Sequence, residues 1–388
     1  MASKSIKQVP RYGRKRDDDG NLIATGMVWE ARYRGPDGRE VKRRFRRKVD
    51  GQQWLDEATA GIVTGTYIDP NAGKITFQEY AEHWRSIQVH RPSSAAHYET
   101  MLRRHVYPTL GARPLADVMP SDIQSWVKRI SDTLAASTVG VVHGIVSSCF
   151  KSAVRDRRIA SNPCDGTRLP DIEPKRLVPL TDAQVLTLHS KIDPHFKALV
   201  HLCAATGLRQ GEVFGLTADR VDFLRGIVKV DRQAVALAKE PIRFGPPKRP
   251  ASYREIPVPR DVIEALSAHI ADYGLGDKGL IFHAEDGGFV RRSTFSAKVW
   301  VPARKAADLP SHIGIHALRH YYASRLIRFG ESVKTVQNRL GHASASETLD
   351  TYSHLWPDAD DRTREAVAGL LSEPAATDVR QTTASAEA

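Results

Sequence analysis

Ala205-Thr206-Gly207-Leu208-Arg209-Gln210-Gly211-Glu212 ends one helix and opens another. The apolar run before it stops at Thr206, Gly207 can take the positive φ that closes a helix, and Arg209 starts the next turn with Glu212 on the same face. Taken alone this is a helix junction closed by an ion pair. Three later strings give it more meaning: His316-Ala317-Leu318-Arg319-His320, then Leu340-Gly341-His342, then Thr351-Tyr352-Ser353-His354. The order is therefore Arg209, His316, Arg319, His342, Tyr352: two guanidinium forks and two imidazoles, groups suited to anionic oxygen, followed by a tyrosine.

The rest of the chain is consistent with a partner that carries phosphate. A length of 388 residues predicts about two or three domains, each able to bury a core. With 41% hydrophobic and 26% charged residues, the composition excludes wholesale disorder and fibrous repeats. The formal net charge of +12 attracts polyanions and makes nucleic acid the leading partner class. No stretch approaches the roughly 20 apolar residues that span a bilayer, and the basic start, Met1 to Arg11, lacks an apolar h-region, so neither membrane insertion nor secretion is expected. Cys149, Cys164 and Cys203 fit neither a disulfide framework nor a zinc-ligand pair and read as buried thiols in a reducing cytoplasm. No Gly-x-x-x-x-Gly-Lys-Ser/Thr run is present, which argues against an ATP-driven helicase or transposition ATPase.

Charge and periodicity divide the chain. Residues 1–68 hold 15 Lys/Arg against 9 Asp/Glu, half of the total surplus. Within them Met27 to Arg34 and Val41 to Arg46 alternate at the strand period and are joined at Gly35-Pro36-Asp37-Gly38; Asp50 with Gln53 then resembles a capping box before a helix carrying Trp54, Leu55, Ala58 and Ile62. Arg43, Arg44, Arg46, Arg47 and Lys48 are either a solvated sheet face or a ribbon for a DNA major groove. Residues 75–165 predict four helices, with starts at Thr76/Glu79, Ser121/Gln124 and Ser137, and inner faces that include Phe77, Trp84, Leu102, Trp126 and Cys149. A proline-marked linker leads to a third domain over 176–371, opened by Thr181/Gln184 and mainly helical, with strands near Ile227 to Arg232 and Tyr253 to Val258. Residues 372–388 read as a disordered tail. The fold class is multidomain and mainly α, with a small β-sheet plus helix at the N-terminus.

The spaced strings resemble the tyrosine recombinase family, most closely phage and mobile-element integrases, and the resemblance covers nearly the whole chain. It implies an arm-site DNA-binding domain over 1–68, a core-site-binding helical domain over 75–165 and a catalytic domain beyond. Ala317 departs from the acidic residue that many members carry after the histidine. The family lysine, which precedes an Arg-x-Ile-Pro pattern matched by Arg254-Glu255-Ile256-Pro257, falls best on Lys248, with Lys239, or the neighbouring arginines if the loop is shifted, as alternatives in the same loop. The resemblance further implies a homotetramer on double-stranded DNA with core and arm attachment sites, an excisionase, a host DNA-bending protein and a place at the nucleoid in the cytoplasm of a bacterial host.

The chemistry asks for the same residue types. Breaking a DNA strand without cofactor, metal or ATP needs a nucleophile, a clamp on the scissile phosphate and a proton for the leaving 5′ hydroxyl. On this expectation Tyr352 would attack; Arg209 and Arg319 would hold the nonbridging oxygens; His316 and His342 would donate to the phosphate, with His316 taking the phenol's proton; and Lys248, placed by the resemblance, would protonate the 5′ oxygen. A 3′-phosphotyrosine would preserve the phosphodiester energy for rejoining through a Holliday junction. His312, His316 and His320 have the spacing of helical metal ligands, but Arg319 among them repels a cation and no zincin glutamate follows His316. The competing functions are a chromosomal-dimer resolvase, which would lack the basic N-terminal module, a type IB topoisomerase, and a non-catalytic DNA-binding protein that kept the fold.

Overall fold

The structure, a computed structural model, describes residues 4–16, 22–36, 38–173, 177–237 and 240–356. Lys239 and the stretch 372–388 lie outside them. The chain divides into two units, Met1–Pro174 and Lys175–Ala388. Among the described residues no helix is long and apolar enough to cross a membrane.

The first unit begins with an antiparallel sheet, β1 (Lys4–Arg16), β2 (Leu22–Arg34) and β3 (Glu40–Phe45), in that order. Alternation along β2 puts Ala31 and Tyr33 on one face, where α1 (Lys48–Val63) buries them against Leu55 with Trp54, Ala58 and Ile62 alongside. On the other face Glu30 is 3% exposed and its two carboxylate oxygens accept from Arg32 and Arg44. β1 is absent from the expectation. Its sequence is polar, Ile6 being its residue in the cluster, and it is held by edge pairing to β2 with Ile6 opposite Ala31. The helix also starts earlier than Asp50: Arg47 is the N-cap, and Asp50, inside the first turn, accepts from the Arg47 guanidinium at 2.6 Å. Of the ribbon cations, Arg43 lies over the Phe45 ring and Lys48 over Trp29, each 5.4 Å from the centroid.

After α1 the helices of this unit are α2 (Phe77–Ile87), α3 (Pro92–Met101) running on as a wide π-type turn through Leu102–Gly111, α4 (Pro120–Ser131) and α5 (Ala136–Arg155). Thr76 and Glu79 form the expected capping box. Ser121 and Gln124 do not: Pro120 occupies the first helical position, Asp122 accepts the Met119 N–H, and Gln124 bridges both backbone polar groups of Arg168. Phe77, Leu102, Trp126, Val146 and Phe150 fill the core. Cys149 and Cys164 are buried and unpaired, as is Cys203 in the second unit.

The second unit runs α6 (Asp182–Lys191), α7 (Lys197–Thr206), α8 (Gln210–Val213), β4 (Val221–Asp222), β5 (Ile227–Val230), β6 (Gln233–Val235), β7 (Arg243–Gly245), β8 (Arg254–Pro257), α9 (Arg260–Tyr273), α10 (Arg292–Phe295), α11 (Val301–Ala306), α12 (His316–Arg328), α13 (Val333–Leu340) and α14 (Ala345–Tyr352). Thr181 and Gln184 cap α6 as expected. β4, β5 and β8 form one sheet, and β6 pairs with β7 in a separate hairpin. Leu199, Leu202, Val213, Val228, Ile256, Leu266 and Leu318 belong to one core, which anchors α7, α12 and the sheet together. Tyr322, Ile327, Val336, Leu340 and Tyr352 form a second cluster that closes the C-terminal helices.

Candidate active site

Gly207 is the first fixed point. It ends α7 at φ 61°, and a Cβ there would sit 2.6 Å from Tyr322 Cδ1, so both conformation and space require glycine. Its carbonyl, freed by the turn, accepts from Arg319 Nη1 at 2.7 Å. Two residues on, Arg209 is extended at the N-cap of α8, and its own N–H donates to Glu212 Oε2 at 2.9 Å. The Arg209 side chain donates to Glu212 Oε1 at 3.1 Å and to the Gly341 carbonyl at 3.1 Å.

Glu212 takes a second arginine. Arg254, the first residue of β8, donates to it through Nη2 at 2.8 Å and Nη1 at 3.2 Å, while its Nε donates to the Arg339 carbonyl at 2.8 Å. Burial works to raise the Glu212 carboxyl; the charge and hydrogen bonds of Arg254 and then Arg209 outweigh it and hold the group below the ordinary value. In the sequence Arg254 serves only to locate a lysine. Its position at the head of a strand, in the pattern Arg-x-Ile-Pro, is the signal that was available.

Arg319, on the first turns of α12, is 2% exposed and spans two helix ends: Nη1 on Gly207 and Nη2 on the Leu340 carbonyl at 2.7 Å. Each terminal nitrogen uses one of its two hydrogens this way, leaving the others and Nε–H to a ligand. Burial, then the charges of Arg209 and Arg254, lower its guanidinium to about 9, still charged at neutral pH. Gly341 ends α13 at φ 65° with Ala251 O and Ser252 Cα 3.0 and 3.1 Å from where a Cβ would stand. This turn delivers His342, whose Nδ1 is 2.9 Å from the buried Thr348 hydroxyl.

Tyr352 is the last residue of α14 and is 1% exposed. Its ring lies parallel to that of His342 at 6.5 Å, and its hydroxyl is 2.8 Å from Nδ1 of His320, not paired with His316. His316 packs edge-on against His320 with centroids 4.7 Å apart. His320 and His342 are lowered to about 4, first by burial, with His316 the largest charge on His320 and Arg319 on His342; the exposed His316 is lowered as well, first by desolvation, with Arg319 the largest charge on it. Burial raises the Tyr352 phenol to about 12, against the pull of Arg319 and Arg209.

The structure thus gathers Arg209, His316, Arg319, His342 and Tyr352 into one site, and adds Glu212, Arg254 and His320. Lys248 stands exposed in the loop after β7. The loop is fastened beside the site, since Arg249 pairs with Glu347 of α14 at 2.8 Å and Ala251 abuts Gly341. Arg43, Arg44, Arg46, Arg47 and Lys48 belong to the sheet and helix start of the first unit.

Two family models match the chain: phage integrase family over residues 178–358 and phage integrase central domain over residues 77–169. A putative prophage phiRv2 integrase of Mycobacterium tuberculosis (strain H37Rv) is 29% identical over 390 residues, covering 96% of this chain and 98% of the relative. The integrase of Mycobacterium phage D29 is 24% identical, covering 81% and 84%. Among solved structures, the Tn1549 transposon integrase in complex with transposon right end DNA superposes with a TM-score of 0.67 at 25% identity, covering 76% of this chain and all of that one. A lambda integrase tetramer bound to a Holliday junction shares the fold, with a TM-score of 0.57 at 19% identity over 84% of this chain and 92% of that one. With its mainly helical multidomain fold and these matches along both units, the chain belongs to the phage integrase family and is a tyrosine recombinase, a site-specific integrase of the phage or transposon type.

Proposed function

We propose that this integrase cleaves and rejoins DNA through a 3′-phosphotyrosine at Tyr352, without metal or ATP, and exchanges strands through a Holliday junction. The observation that carries the reading is the convergence of Arg209, Arg319, His316 and His342 on the surroundings of one buried phenol. In this reading Arg209 and Arg319 bind the nonbridging oxygens and stabilise the charge that grows as phosphorus becomes five-coordinate. His342, with Nδ1 taken by Thr348, turns Nε2 to the phosphate; His316 donates from the other side. Lys248, on a loop fastened beside the site, supplies the proton to the leaving 5′ oxygen. The product remains a phosphodiester, so a 5′ hydroxyl of a second duplex reverses the step with no external energy.

DNA is the partner, and the relatives solved on transposon-end DNA and on a Holliday junction support both that and a homotetramer. The helical domain of about residues 75–165 would grip the core site, and the N-terminal sheet, about residues 1–68, the arm sites through Arg43, Arg44, Arg46, Arg47 and Lys48. Multi-site assembly of this kind calls for a host DNA-bending protein, and reversal for an excisionase. The test is to trap protein on nicked attachment-site DNA and sequence the captured ends. Wild-type protein should form the adduct, in EDTA as well, and Tyr352→Phe should bind DNA but form none. An adduct in the phenylalanine variant would move the nucleophile elsewhere, and loss on chelation would favour a metal mechanism.

A further inference from the structure

We infer that His320, which the motif order does not single out, is the base that takes the proton of Tyr352 as the phenol attacks. The inference rests on the reading of Tyr352 as nucleophile. A phenol that is 1% exposed has no bulk water to receive its proton, so the proton must pass to a side chain in contact with the oxygen. That side chain is His320, with Nδ1 2.8 Å from the hydroxyl. His316 lies edge-on to the far ring, at 4.7 Å between centroids, and buttresses His320 in this orientation.

In the tautomer with hydrogen on Nε2, Nδ1 accepts from the phenol. On attack the Oη–H bond breaks and its proton goes to His320 Nδ1, while its electron pair forms the Oη–P bond. The P–O5′ bond breaks with its pair on the 5′ oxygen, which takes a proton from Lys248. Rejoining runs the same transfers backwards.

The groups acting on His320 are His316 and Arg319 of its own helix, His342 from the turn after α13, and Tyr352 itself. α7 packs on the same helix but directs its titratable groups elsewhere, Lys197 toward His189, His201 to Asp261 and Cys203 into the core. His354, in the turn after α14, is held at the Leu177 carbonyl. In the free protein burial, then His316 and Arg319, keep His320 neutral and therefore able to accept. An arriving phosphodiester offsets the positive charge of Arg209 and Arg319 and makes the imidazolium easier to form.

The experiment measures single-turnover adduct formation by full-length protein on the core-site duplex identified by end sequencing, from about pH 5.5 to 9.5. His320→Asn keeps an amide oxygen near the place of Nδ1 but cannot carry the proton. It should cleave about 10²–10⁴-fold more slowly near neutrality and recover about tenfold per pH unit as hydroxide takes over. His320→Gly, assayed only if its thermal unfolding and DNA binding match wild type, should regain activity with added imidazole. A 5′-bridging phosphorothiolate, which leaves without protonation, should rescue Lys248→Ala and not His320→Asn. Wild-type rate and pH profile in His320→Asn, or loss of the low-pH limb in His316→Gln alone, would overturn the assignment. Failure of the underlying reading shows differently, as an adduct that persists in Tyr352→Phe.

Discussion

Glu212 and Arg254 form a nearly sealed ion pair, with Nη2 to Oε2 at 2.8 Å and side chains 3% and 5% exposed. The same carboxylate holds Arg209, so one acid in α8 sets the position of an arginine from a distant strand and of an arginine at the site. Replacing it leaves two guanidinium groups with less counter-charge in a place that already holds Arg319.

Glu212→Gln should therefore destabilise the second unit by about 3–5 kcal/mol, the range for breaking a buried pair from one side. The pH dependence has a definite sign. The folded-state carboxyl lies below its unfolded value, so its contribution is complete above the unfolded value and is lost as pH falls through the folded one. Urea unfolding of wild type and variant should differ most near neutrality and converge under acid conditions. An equal difference at every pH would assign the loss to packing instead.

Gly207→Ala should cost at least about 1–2 kcal/mol, from the positive φ together with the close approach of the Tyr322 ring. Because the Gly207 carbonyl also holds Arg319, cleavage should fall more than thermal stability alone accounts for. Adduct yield measured well below the melting temperature separates the two effects.

Arg209→Ala and Arg319→Ala should each slow cleavage by about 10²–10³-fold or more, the scale for losing one donor to a developing oxyanion. Their stabilities should differ. Arg319 is buried and satisfies two helix-end carbonyls, so its removal should cost more than about 2 kcal/mol. The Arg209 side chain is 29% exposed and leaves Glu212 still paired with Arg254, so its cost should stay near about 1 kcal/mol. Chemical denaturation beside single-turnover cleavage reads both numbers.

Deleting residues 1–68 should leave cleavage of a core site intact while abolishing integration between two sites, because the residues proposed as catalytic all lie in the second unit. DNA binding by the truncated protein should weaken less steeply with salt than that of the full chain, as phosphate contacts are lost. Normal integration by the truncated protein would leave the basic sheet as a solvated face.

The sequence alone determined what is local or periodic. The inner faces of α2, α4 and α5, the capping boxes at Thr76 and Thr181, and the helix break at Gly207 depend on neighbours a few residues away, and the order Arg209, His316, Arg319, His342, Tyr352 was legible in the same way. Tertiary structure decided the rest. β1 is a polar strand that exists because β2 offers an edge, and no pattern within Lys4–Arg16 announces it. Ser121 and Gln124 matched a capping spacing, yet Asp122 made the cap and Gln124 was drawn to Arg168, because which of two adjacent polar residues closes a helix depends on what packs beside it. Glu212 with Arg254, and His320 with Tyr352, join residues far apart in the chain. Ion-pair and hydrogen-bond partners are set by a few ångströms of approach between packed elements, a distance that residue spacing along the chain does not encode.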